Sequence, residues 1–123
     1  MIIMQHSIVI VDDDDDLRKI LKESFTNAGY KVYLAENGLR LIALLQSEEI
    51  HAVLLDINMP WLSGYQICKS IKSDKKLNNL KVIYMSAVIT DENECYKTGC
   101  DGIIKKPFVI QEVLEKINLL LDR

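Results

Sequence analysis

Three short apolar runs in this chain each end in charge. Ile8-Val9-Ile10-Val11 passes into Asp12-Asp13, Leu54-Leu55 ends in Asp56, and Ile103-Ile104 passes into Lys105-Lys106-Pro107. Uninterrupted apolar runs, β-branched in the first and last cases, are the pattern of strands buried on both faces, as in a parallel sheet. The C-terminal ends of such strands share one edge, and ligands of open α/β sheets sit there. One aspartate at a strand end is an ordinary turn cap. Acids from two strands and an ammonium from a third, all delivered to the same rim, constrain the chain far more.

Between the runs lie stretches with helical spacing. Leu17, Ile20, Leu21, Phe25 and Ala28 form one stripe, with Gly29 as a stop. Lys31 to Leu34 reads as a second strand, more mixed and nearer an edge. Asn37-Gly38 turns the chain, and Leu41, Ile42, Leu44 and Leu45 suggest a helix ending near Ser47. The third strand spans His51 to Asp56 and stops at Pro60. Tyr65, Ile67, Cys68 and Ile71 suggest a helix reaching about Ser73, and Lys81 to Ser86 is a fourth strand. Thr90-Asp91-Glu92-Asn93-Glu94 opens a short helix with acids at its positive end, closed by Gly99. Asp101-Gly102 turns into the fifth strand. The last helix starts at Phe108 and carries Ile110, Val113, Leu114, Ile117, Leu120 and Leu121 on one stripe. Five strands alternating with five helices predict an α/β fold with a parallel sheet covered on both faces. Right-handed crossovers at this size favour a doubly wound sandwich over a closed barrel.

The totals agree. At 123 residues, with 49% hydrophobic and 27% charged side chains, the expectation is a single folded domain over residues 1–123. A net charge of -3 argues against direct nucleic-acid binding, which calls for a basic face. Cys68, Cys95 and Cys100 show no metal-ligand spacing and read as reduced thiols. The first residues lack the marks of a signal peptide, and no apolar run approaches membrane-spanning length. The expected setting is cytoplasmic, without a membrane.

If the first and third strands are neighbours, Asp12, Asp13 and Asp56 converge. Clustered carboxylates repel unless a cation intervenes. Oxygen ligands without histidine or thiolate suit a hard divalent ion, Mg²⁺ first and Mn²⁺ as the alternative. Lys106 sets an ammonium over the same edge, and Ser86, ending the fourth strand, offers a hydroxyl. Lysine, hydroxyl and metal around one carboxylate make a socket for phosphate. Asp56 would be the nucleophile, forming an acyl phosphate. Asp14, Asp15 and Asp16 read as a solvated helix start with no chemistry assigned.

These residues resemble the receiver domain of two-component response regulators from Ile8 to about Leu121. The matching pieces are the strand into Asp12-Asp13, Asp56 with Asn58-Met59-Pro60 and Gly64, Ser86-Ala87, Gly99 with Asp101-Gly102, and Lys106-Pro107-Phe108. The resemblance implies a flavodoxin-like (CheY-like) three-layer sandwich with strand order 2-1-3-4-5. It implies phosphoryl transfer onto Asp56 from a sensor histidine kinase or phosphotransfer protein. Mg²⁺ would be held by Asp13, Asp56 and the backbone carbonyl of Asn58, with Asp12 acting through a water. Lys106 and Ser86 would grip phosphoryl oxygens, beside the small Ala87, and Lys106-Pro107 would be cis. Such a domain catalyses only its own phosphorylation and slow dephosphorylation. The family's habit also allows a homodimer through the last two helices and the fifth strand, the face that carries its output.

The chain departs from the family in three places. The aromatic switch partner of the fourth-strand hydroxyl is replaced by Ile103, so Ser86 would couple to the output face through a smaller repacking. Lys105 stands where an apolar residue is expected, its stem snorkelling; the alternative is that Lys105 is the site lysine. Val88 stands where polar side chains help to place the hydrolytic water. Trp61, past the acceptor loop, is an expected fluorescence reporter. A haloacid-dehalogenase-like phosphatase shares the Asp-x-Asp opening, but Asp16 stands where it carries Thr or Val, and a cap domain and late carboxylates are missing. A flavodoxin would need a Ser/Thr/Gly-rich loop where this chain is acidic, and a degenerate receiver would not keep the full Asp/Asp/Lys/Ser set. Because the Val88 side chain can neither donate nor accept, the aspartyl phosphate is expected to decay slowly. A phosphate half-life of seconds at room temperature contradicts that expectation.

Overall fold

The computed structural model describes residues 5–59, 63–88 and 91–122. Strands and helices alternate as β1 (Ser7–Val11), α1 (Asp15–Asn27), β2 (Lys31–Ala35), α2 (Gly38–Ser47) and β3 (Ala52–Asp56). They continue as α3 (Gly64–Ser73), β4 (Lys81–Ser86), α4 (Glu92–Lys97), β5 (Gly102–Lys105) and α5 (Ile110–Leu120). The strands form one parallel sheet in the order β2-β1-β3-β4-β5. This is the flavodoxin-like order.

Both faces of the sheet are covered, which is why the central strands do not alternate polar and apolar residues. Val9, Val11, Val53, Leu55, Val82, Tyr84 and Ile103 point to one side, against Leu41, Leu44, Ile67, Cys68, Ile71 and Cys95 of α2, α3 and α4. Ile8, Ile10, Leu54, Ile83, Met85 and Ile104 point to the other, against Leu21 and Phe25 of α1 and Val113 and Ile117 of α5. Burying these side chains drives the fold, at ~25 cal/mol per Å² of apolar surface removed from water.

The register brings the functional ends level. Val11 lies beside Leu55, Asp56 beside Met85 and Ser86 beside Lys105. The backbone bonds continue past the ladder, with Asp12 N–H donating to the Ala35 carbonyl and Lys106 N–H to the Ser86 carbonyl, at 3.2 and 2.8 Å.

Element ends differ from the sequence reading in a few places. The α5 helix starts at Ile110 rather than Phe108, because Val109 is still extended, at φ -90° and ψ 134°, and occupies the cap position. Asn37 is the N-cap of α2, its side chain accepting from Arg40 N–H, so Gly38 opens the helix instead of sitting in a turn. The α4 helix starts at Glu92 after an Asp91 cap; Thr90 lies outside the described residues, as do Pro60 and Trp61. His51 stays out of β3, its Nδ1 accepting from Ser7 N–H at 2.8 Å. Ile20 is half exposed rather than part of the buried α1 stripe. Gly29 and Gly99 do close their helices, at φ 95° and 94°.

Gly64 opens α3 where a Cβ would lie 2.8 Å from Ile57 Cγ2 and 3.0 Å from Ile57 Cα. Gly64→Ala is expected to cost about 1–3 kcal/mol, read as a lower Tm. Gly102→Ala meets nothing closer than a flexible Lys116 methylene at 3.4 Å and costs much less. Equal losses at the two positions would show that the Ile57 contact does not matter.

Candidate functional site

The rim at the C-terminal ends of β1, β3 and β5 gathers the charges. Carboxylate oxygens of Asp12, Asp13 and Asp56 all lie within 4.8 Å of one another. Lys106 reaches in from just beyond β5, its Nζ donating to Asp12 Oδ2 at 2.7 Å and to Asp56 Oδ2 at 3.3 Å. Lys105 points away and pairs with Glu92 at 3.1 Å. Its side chain is 66% exposed, so Lys106 is the lysine at the site. The Lys106-Pro107 peptide is cis.

The acids are held by backbone as well as by charge. Asp12 is fully buried, and its Oδ1 accepts from Asp14 N–H at 2.9 Å. Asp56 is nearly buried, and its Oδ1 accepts from Asn58 N–H at 2.8 Å. Asp13 is exposed, free to face an ion arriving from solvent. Asp14 caps α1 by accepting from Asp16 and Leu17 N–H, while Asp15 and Asp16 occupy the first turn. That is the helix-start role read for this stretch.

Arg18 is a part of the site that its sequence position did not announce. Its Nη1 donates to the Asp12 carbonyl at 2.6 Å and its other nitrogen pairs with Asp15. The readable signal was its place one turn into α1, three residues after Asp15. The Arg18 side chain is largely buried and ties the acidic loop to the helix behind it.

Ser86 is fully buried, and its hydroxyl bonds Asn58 Oδ1 and the Val88 carbonyl, the latter at 2.8 Å. It also accepts from Val88 N–H at 3.1 Å. Ile103 is buried beside Tyr84 on the face covered by α3 and α4.

Burial pushes the Asp56 carboxyl above its usual range and Asp12 adds to the push, while Asn58 N–H and Lys106 act against it. Burial opposes the charge on Lys106, yet its hydrogen bond and attraction to Asp12, followed by Asp56, outweigh that and raise its pKa. A set of hard oxygen donors, lacking histidine and thiolate, fits Mg²⁺ or Mn²⁺.

Geometry and family coincide. A family model, the response regulator receiver domain, matches residues 8–118. The chain belongs to the receiver-domain family of response regulators. It is 33% identical over 122 residues to a probable transcriptional regulator, ycf29, of Pyropia yezoensis, covering 98% of this chain and 55% of that protein. The chain spans about half the length of the curated relatives it matches. A CheY-like receiver from Methanospirillum hungatei superposes with a TM-score of 0.89 at 28% identity, covering 97% of this chain and 95% of that one. The BeF3-activated receiver domain of DrrB, from Thermotoga maritima, gives 0.86 at 29% identity, covering 98% and 100%. The protein is thus a receiver of two-component signal transduction, and accepting a phosphoryl group is the standard role of its family. Among the described residues no helix is long and apolar enough to cross a membrane.

Because the folded chain holds Asp56 above its ordinary pKa, the folded state binds more protons than the unfolded one in that window. Stability from this group therefore falls as pH rises from the unfolded value through the folded one. In metal-free buffer at neutral pH, Asp56→Asn is expected to raise Tm by a few degrees and to shrink the Tm gain on adding Mg²⁺. A lower Tm with an undiminished Mg²⁺ response contradicts this.

Proposed function

We propose that Asp56 is the phosphoacceptor of this receiver. The observation that carries the assignment is the Lys106 bridge from Asp12 to Asp56, which sets one ammonium against the only two buried carboxylates among the described residues. An Asp56 carboxylate oxygen attacks the phosphorus of a phosphohistidine. A P–O bond forms as the P–N bond breaks, and the imidazole leaves with the electron pair and takes up a proton. Lys106 already lies within hydrogen-bond reach of Asp56, so it can follow the developing charge on the phosphoryl oxygens without rearrangement. Asp13, Asp56 and the backbone carbonyl of Asn58 would hold Mg²⁺ or Mn²⁺, with Asp12 acting on it indirectly. Bound there, the ion neutralises phosphoryl and carboxylate oxygens that otherwise repel.

In this reading the domain accelerates its own phosphorylation and its own slow hydrolysis, and turns over no other substrate. Ser86 is the hydroxyl that joins the phosphoryl group, and Ile103, behind it on β5, repacks in response. The face of α4, β5 and α5 carries the output and is the surface for a homodimer. The BeF3-activated state of the DrrB receiver supports a phosphoryl-like group as the trigger.

Incubation with acetyl phosphate and Mg²⁺ is expected to add one alkali-labile phosphate, seen by intact mass. Asp56→Asn abolishes it, and Lys106→Ala slows it by about 100-fold. Undiminished labelling of Asp56→Asn would sink the assignment.

A further inference from the structure

The roles assigned so far use Asn58 only through its backbone, yet its side chain bonds the Ser86 hydroxyl. Ser86 is the only side chain that the Asn58 amide bonds among the described residues. Asn58 therefore touches both partners of the proposed switch. Its N–H donates to Asp56 Oδ1 at 2.8 Å, and its amide occupies the hydroxyl that a phosphoryl group on Asp56 must recruit.

A serine hydroxyl has one proton to donate. In the resting structure that proton faces two neutral acceptors, Asn58 Oδ1 and the Val88 carbonyl at 2.8 Å, while Val88 N–H fills a lone pair at 3.1 Å. The Ser86 backbone is fixed independently, because its carbonyl accepts from Lys106 N–H at 2.8 Å. The hydroxyl can thus change partner by rotating about its own Cα–Cβ bond, with the strand end in place. The Val88 side chain is 65% exposed and apolar, so it offers the amide no replacement partner.

We propose that the Asn58 side chain is a positioning residue that holds the Ser86 hydroxyl in the resting state and sets how readily a phosphoryl group on Asp56 captures it. This rests on Asp56 being the acceptor. A charged phosphoryl oxygen is the stronger acceptor, so capture proceeds, but each capture gives up the bond to the amide. Removing the amide removes that opposing contribution.

The test is a double-mutant cycle on Asn58→Ala and Ser86→Ala, with beryllofluoride plus Mg²⁺ as the probe, its affinity measured by calorimetry and folding checked by Tm. Asn58→Ala is expected to tighten beryllofluoride binding about 3- to 10-fold when Ser86 is present, the size of one neutral hydrogen bond. In the Ser86→Ala background the same change is expected to do nothing. A general effect of Asn58 on loop structure would act alike in both backgrounds, and that result overturns the proposal. Weaker or unchanged binding in Asn58→Ala alone also overturns it. Wild type that takes neither beryllofluoride nor alkali-labile phosphate removes the acceptor assignment and this proposal together. Wild type that takes both, with additive effects in the cycle, removes only the proposal.

Discussion

One ammonium between two buried carboxylates holds the site together. Without Lys106, Asp12 and Asp56 would be charged, desolvated and close, an arrangement that costs several kcal/mol per ion in protein interiors, by order of magnitude. With it, the rim is balanced enough to fold, while the exposed Asp13 leaves one carboxylate of the cluster facing solvent. The raised pKa of Asp56 shows that the balance is incomplete. In the proposed mechanism, an ion and a phosphoryl group would supply the further partners.

The sheet makes that balance possible. Asp12, Asp56 and Lys106 are far apart in sequence and meet because β1 lies beside β3, and β5 is linked to them through β4. The same topology ties the site to the α3–α4 side. Tyr84 lies two residues before Ser86 on β4 and shares its face of the strand. Its hydroxyl bonds Thr98 just past α4, and its ring packs against Tyr65, whose own hydroxyl contacts Cys95 at 3.3 Å. With isoleucine at position 103, β5 carries no aromatic side chain, and Tyr84 of β4 pairs with Tyr65 of α3 on this side of the sheet. Cys68, Cys95 and Cys100 are buried in this seam as free thiols. Burial, with Cys68 and Cys95 close by, pushes Cys100 up to about 12, so it fills space and stays unreactive.

The core and the charged rim were legible because both rest on local patterns. Apolar runs such as Ile8–Val11 mark strands buried on both faces, and their charged ends name Asp12, Asp13, Asp56 and Lys106. Strand order was not legible from periodicity, since nothing within β1 states that β3 rather than β4 lies next to it; that came from family likeness. Helix starts were misplaced where caps decide them, at Asn37 and Val109, because a cap depends on backbone angles that composition leaves open. Arg18 and the Asn58 amide went unread for another reason. Each acts on a loop brought near by folding, and a lone arginine or asparagine has no spacing that betrays its target. Ile103 was readable as a departure, but its buried place beside Tyr84 was not.

The central claim is that this rim makes Asp56, and no other side chain, the carrier of phosphorus. Borohydride reduction of the acetyl phosphate-treated chain, followed by peptide mass spectrometry, tests it most directly, because an acyl phosphate is reduced to an alcohol at the residue that bore it. Homoserine at position 56 alone is the predicted result. Reduction at Asp12 or Asp13, or label that resists borohydride because it sits on a histidine, would contradict the account.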